Sequence, residues 1–176
     1  STAAHSTMIL QETSSSRVIN ARLSGPVLLP GVSTVEVERE DDKNGNSLLR
    51  AKHDGYGQKF GYLHEREIAL SAGGDKIKGC DRLIQHDPGR QKDALEAVLR
   101  FHVHPGIRLA RQDGETIALQ APGGDSWLFS APGLDVLVEE DVFFADVSGM
   151  RPSQQLVVQF TVSGCREIRW MLRRSD

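Results

Sequence analysis

The stretch EAVLRFHVHP, residues 96–105, decides the fold class of this chain. Residues 90–99 are the one segment that could pass for a helix. Their continuation into Arg100-Phe101-His102-Val103-His104 turns the reading to a strand. Ala97, Leu99, Phe101 and Val103 then fall on one face, with Val98, Arg100, His102 and His104 on the other. That spacing of two is the mark of a half-buried strand. The same alternation runs outward in both directions. In VSTVEVERED (residues 32–41), Val32, Thr34, Glu36 and Glu38 lie to one side and Val35, Val37 and Arg39 to the other. REIALS, SWLFSA, LDVLVEEDVFF, QLVVQFTVS and EIRWMLRR repeat it. Turn signals separate these runs at residues 41–45, 72–75, 88–89, 113–114, 122–125, 132–133 and 163–164. The rhythm predicts an all-β chain of roughly ten to thirteen strands, an antiparallel two-sheet sandwich forming a single domain over residues 1–176.

Composition narrows the task. The chain has 176 residues, long enough for one substantial core, and carries 21 Lys and Arg against 24 Asp and Glu, a formal charge of −3. Nothing resembles the basic stripe of a nucleic-acid binder. No apolar run approaches the roughly 18–20 residues that span a bilayer. Two cysteines, Cys80 and Cys165, are too few for a disulfide framework or a zinc knuckle, and leave open one bridge or two buried thiols.

Three stretches could carry chemistry. His102 and His104 stand two apart, so one strand face could offer two imidazoles to a metal; a polar outer face beside a Pro-Gly turn is the plainer explanation. Asp87 opens Asp-Pro-Gly, which reads as a turn because proline presets φ and glycine accepts positive φ. HDGYGQKFGYLHERE brings His53, Tyr56, Tyr62 and His64 within twelve residues. A histidine and a tyrosine can form a proton-transfer pair, and Gly55, Gly57 and Gly61 would admit a polysaccharide or another backbone at close range. The alternative is a glycine-rich corner whose aromatics pack. His53, Tyr56, His102 and His104 are therefore the substrate-binding candidates.

The order of several stretches adds a resemblance. AAHSTMIL at the start, HDGY…FGYLHEREIALSAGGDKIKGCDRL, LRFHVHPGI and RWMLRR together resemble the C-terminal region of heparinase II/III-like proteins, over nearly the whole chain. The resemblance implies the β-sandwich of a polysaccharide lyase that also has a helical toroid, with β-elimination on uronic-acid-containing polymers. It also implies a zinc held by a His-Gly-His-Ala-Asp stretch and a later His-Asn/Ser-Thr. His-Ser-Thr at residues 5–7 matches the last of these, so His5 is the expected metal ligand, with the others expected before residue 1. No catalytic residue is expected in this chain. The chain is then the non-catalytic end of a larger enzyme, with structural zinc in the parent. Implied partners are an acidic polysaccharide, the parent's own toroid and a second copy in a homodimer; the compartment stays open, with the resemblance leaning towards periplasm or cell envelope and the cytoplasm as the alternative. The competing readings are a glycan-binding module, which would want exposed aromatics where Trp127 and Trp170 instead sit in apolar alternation, and a purely structural member of the family.

Overall fold

The computed structural model describes residues 5–13, 17–21, 25–29, 31–91, 94–146, 149–163 and 166–175. The decisive stretch is a strand. β8 (Glu96–Val103) buries Ala97, Leu99 and Val103, with Phe101 packed beside them. It lies inside a four-stranded sheet of order β1-β8-β13-β12, where β1 is Met8–Leu10, β12 is Val136–Asp146 and β13 is Gly149–Thr161.

Facing it is an eight-stranded sheet. Its strands are β4 (Val35–Asp41), β5 (Ser47–His53), β6 (Tyr62–Leu70), β7 (Lys76–Gln85), β9 (Arg108–Arg111), β10 (Thr116–Gln120), β11 (Ser126–Ser130) and β14 (Glu167–Ser175). Their order is β4-β5-β6-β7-β14-β11-β10-β9. A separate hairpin pairs β2 (Arg17–Ala21) with β3 (Gly25–Leu29). Every pairing is antiparallel, and the described helix is limited to single turns at Gly57–Phe60 and Pro88–Arg90. The twelve strands of the two sheets lie within the expected number.

Chain order explains how the sheets lock together. The chain fills one side of the large sheet with β4–β7 and crosses to the small sheet for β8. It returns for β9–β11, crosses again for the β12–β13 hairpin, and ends on β14 between β7 and β11. That last strand therefore joins two blocks that would otherwise be separate. Its inward residues Ile168 and Trp170 are buried, and Trp170 packs with Phe101 and Phe129 at centroid separations of 4.8 and 6.1 Å. The rings thus tie one sheet to the other; such pairs add about 0.5–1.5 kcal/mol beyond the burial of their area.

Turns fall where the sequence placed them: Gly45, Gly74, Gly124 and Gly133 take positive φ between successive strands or beside them. Asp87 caps the Pro88–Arg90 turn by accepting the Gly89 N–H at 3.0 Å. One expectation fails. β4 does not bury a face: all seven residues are exposed, because the four-stranded sheet is narrower than its partner and ends before reaching this edge. Cys80 is a free, buried thiol, raised to about 11 mainly by burial, and Cys165 lies outside the described residues.

Candidate functional site

Towards the β4 edge of the large sheet, polar side chains of β5–β7 occupy the inner face. Register sets His53 opposite His64, and Arg66 opposite Asp81. Asp81 is fully buried and accepts three hydrogen bonds, from His64 Nε2 at 2.7 Å, Arg66 Nε at 2.8 Å and Trp170 Nε1 at 2.8 Å. Burial by itself would raise its pKa. The His64 hydrogen bond and the Arg66 charge overcome that, so the carboxyl is held below its ordinary value. Trp170 reaches Asp81 because its cross-strand neighbour is Gly79; a Cβ there would lie 2.0 Å from the indole.

The chain of hydrogen bonds has a direction. Gly55 N–H donates to His53 Nδ1 at 3.1 Å, so that nitrogen carries the lone pair and Nε2 carries the proton. His53 Nε2–H then donates to His64 Nδ1 at 3.2 Å, and His64 Nε2–H to Asp81. Burial, followed by the neighbouring His64, lowers the His53 pKa to about 4. His53 is therefore neutral at pH 7 with both ring nitrogens already engaged. That suits a rigid relay more than a base awaiting a proton.

The relay borders a cavity of about 380 Å³ lined by Thr7, Val32, Val35, Ala51, Lys52, His53, His64 and Arg66. The His-Ser-Thr stretch at residues 5–7 is pinned beside it. Ser6 O accepts from Arg66 Nη1, Ser6 Oγ accepts the His102 N–H at 3.0 Å, and Thr7 O accepts the Arg100 N–H at 3.0 Å. His5 itself is exposed. Among the described residues no three His, Cys, Asp or Glu come together as metal ligands, so the residues present do not fit a zinc shell around His5.

The other sequence candidates separate. Tyr56 is fully buried; its hydroxyl donates to Met8 O at 2.7 Å, and burial pushes its pKa up. His102 is half-buried, with Nδ1 2.5 Å from Asp141 Oδ2. His104 lies beyond the end of β8, accepting the Gly106 N–H at 3.1 Å and meeting the Phe143 ring at 5.0 Å. His102 and His104 thus take different partners. The structure instead joins His53 to Tyr56, with ring centroids 5.7 Å apart, and to His64. Gly61 serves a backbone approach: at φ +73° its Cβ position lies 2.2 Å from Asp87 O. Sequence reasoning missed Asp81, Arg66 and the site role of His64. A signal was there, since Ile77, Gly79, Asp81 and Leu83 alternate along β7, placing a carboxylate in an inward position.

A family model described as heparinase II/III-like, C-terminal, matches residues 1–171. FtsZ-localized protein C of Caulobacter vibrioides (strain NA1000 / CB15N) is 30% identical over 165 residues, covering 89% of this chain and 28% of the relative. Among solved structures, heparan sulfate lyase HepC from Pedobacter heparinus superposes with a TM-score of 0.70 at 11% identity, over 98% of this chain and 24% of that one. A heparinase III gives 0.66 at 11% identity, over 97% and 23%. At such identities the likeness concerns the fold. The chain spans about a quarter of the length of these relatives.

Proposed function

The chain belongs to the heparinase II/III-like C-terminal family, and within it we propose that this chain is a non-catalytic β-sandwich serving a longer polysaccharide lyase. In that reading the longer protein cleaves uronic-acid-containing polysaccharide by β-elimination, with its chemistry borne by a helical domain. The observation that carries the non-catalytic assignment is the engagement of His53. β-Elimination needs a base with a lone pair aimed at the proton beside the uronate carboxylate, and an acid for the leaving oxygen. His53 Nδ1 is covered by Gly55 N–H, His64 is closed between His53 and Asp81, and Tyr56 spends its hydroxyl on Met8 O. Such groups hold a surface in place without turning over substrate. The test is ultraviolet absorbance of the unsaturated uronate product, using heparan sulfate and alginate, with the 176-residue chain and with a full-length protein carrying it. The chain alone should give no product and the full-length protein should. Product from the chain alone refutes the assignment, and silence from the full-length protein refutes the lyase.

A second reading is favoured by sequence distance. The relative at 30% identity is FtsZ-localized, whereas the lyases stand at 10–11%. In this reading the sandwich helps locate a longer protein at FtsZ. Co-sedimentation of the chain with purified FtsZ filaments supports it, and a supernatant holding all of the chain rejects it.

A further inference from the structure

We propose that the open edge of β4 is a docking strand for an extended peptide of a partner protein that alternates apolar with basic side chains. The inference stands apart from the lyase reading. Its first support is backbone direction. Asp42 N–H donates to Asn46 O at 2.9 Å and Asp54 N–H to Thr34 O at 3.3 Å. An unbroken antiparallel register links these two pairs, from Val35 opposite His53 to Asp41 opposite Ser47. Hydrogen-bonded pairs alternate in such a ladder. Glu36, Glu38 and Glu40 therefore turn their peptide groups towards β5, and Val35, Val37 and Arg39 turn theirs to the open edge. Among the described residues no strand pairs with that edge.

Both ends of β4 are fixed, so the edge is preformed. Asp54 Oδ1 accepts the N–H groups of Ser33 and Thr34 at 2.7 and 3.1 Å. At the far end Asp42 Oδ1 accepts those of Asn44 and Asn46 at 2.8 and 2.9 Å, closing the β4–β5 hairpin. A peptide that adds here forms main-chain bonds without reordering its receptor.

The two faces specify the side chains. On the inner face Val35 and Val37 are 64% and 62% exposed, and Val35 borders the 380 Å³ cavity. On the outer face stand Glu36, Glu38 and Glu40. Lys52 pairs with Glu36 at 2.8 Å, while Arg50 is shared between Glu38 at 3.3 Å and Glu67 at 3.0 Å. Glu40 has no ion pair among the described residues. The edge thus presents three carboxylates backed by two cations, one of them divided. A strand laid beside it meets this face best with Lys or Arg, and the inner face with Val, Ile or Leu. A second copy fits poorly. Antiparallel self-pairing keeps like faces together, so it sets the glutamates of one β4 against those of the other.

The test uses the 176-residue chain with a synthetic peptide of alternating valine and lysine, and its valine–glutamate counterpart. The lysine peptide should bind, more weakly as salt rises. Hydrogen exchange should slow at the amides of Val35, Val37 and Arg39. Val37→Pro removes an outward N–H that β5 does not use, so the fold should persist while affinity falls about tenfold or more. Glu40→Lys, which breaks no ion pair, should also weaken binding. The proposal is overturned by equal binding of the glutamate peptide, by binding that leaves those three amides exchanging as before, or by undiminished binding in both variants. It is equally overturned if the chain dimerises through β4.

Discussion

Asp81→Asn probes the centre of the inner-face network with almost no change in shape. Oδ1 of Asp81 accepts from both His64 and Arg66, and Oδ2 from Trp170. The amide oxygen of asparagine can keep the first pair. Its NH2 group must then face the indole N–H across the present 2.8 Å, two donors with no acceptor between them. A buried donor left without a partner costs about 1–3 kcal/mol. The Arg66 guanidinium also loses its counter-charge. Removing one member of a buried ion pair costs about 3–5 kcal/mol, but Arg66 keeps 17% exposure and its bond to Ser6 O, so the lower end applies. These overlapping losses come to about 3–4 kcal/mol in total. For a domain of this size each kcal/mol shifts Tm by roughly 2–4 °C, so the variant should melt about 6–16 °C lower. Thermal unfolding at pH 7 followed by near-ultraviolet circular dichroism reads it, with Trp170 as local reporter. A melting point within about 2 °C of the parent would refute the view that Asp81 organises this face.

The remaining predictions concern the same region. His53 is lowered from 6.5 to about 4, so the unfolded chain binds its proton first as pH falls; stability is full above pH 6.5 and declines by roughly 2 kcal/mol towards pH 4, which urea titrations at several pH values will show and which should vanish in His53→Gln. The Asp81 contribution lies lower, being lost only as pH drops below the ordinary carboxylate range. Gly79→Ala drives a methyl into the Trp170 indole and should destabilise by about 1–3 kcal/mol or more, with quenched or shifted tryptophan emission as the signature. Tyr56→Phe leaves Met8 O without its donor and should cost about 1–2 kcal/mol in urea unfolding; a neutral outcome would mean that water or a neighbour takes the hydroxyl's place.

The fold was legible because its signal is local. Period two in residues 96–103 sorts Ala97, Leu99, Phe101 and Val103 inward without reference to any other strand, and turns such as residues 41–45 announce themselves by their own glycines. Pairing is not local. Nothing in EIRWMLRR says that it will lie between β7 and β11, some ninety residues apart from one of them in places, as with Trp170 Nε1 and Asp81 Oδ2 at a sequence separation of 89. For the same reason the exposed face of β4 could not be read: Val35 and Val37 alternate like core residues, and only the width of the opposite sheet leaves them uncovered. At the site, His53 and Tyr56 were found by type and proximity. Their roles depended on what lay opposite, which is set by register. Asp81 was the readable clue, a carboxylate in phase with Ile77, Gly79 and Leu83.

The most direct measurement is an NMR titration of the histidine side chains in nitrogen-15-labelled protein. His53 should appear as the neutral Nε2–H tautomer at pH 7, with that proton shared with His64 Nδ1, and should remain neutral until the pH approaches 4. In the proposed reading, a histidine locked in this way holds the sandwich together and the chemistry is borne elsewhere in a longer protein. If His53 instead titrates near 6.5 with a free ring nitrogen, a general base is available in this chain and the non-catalytic account is wrong.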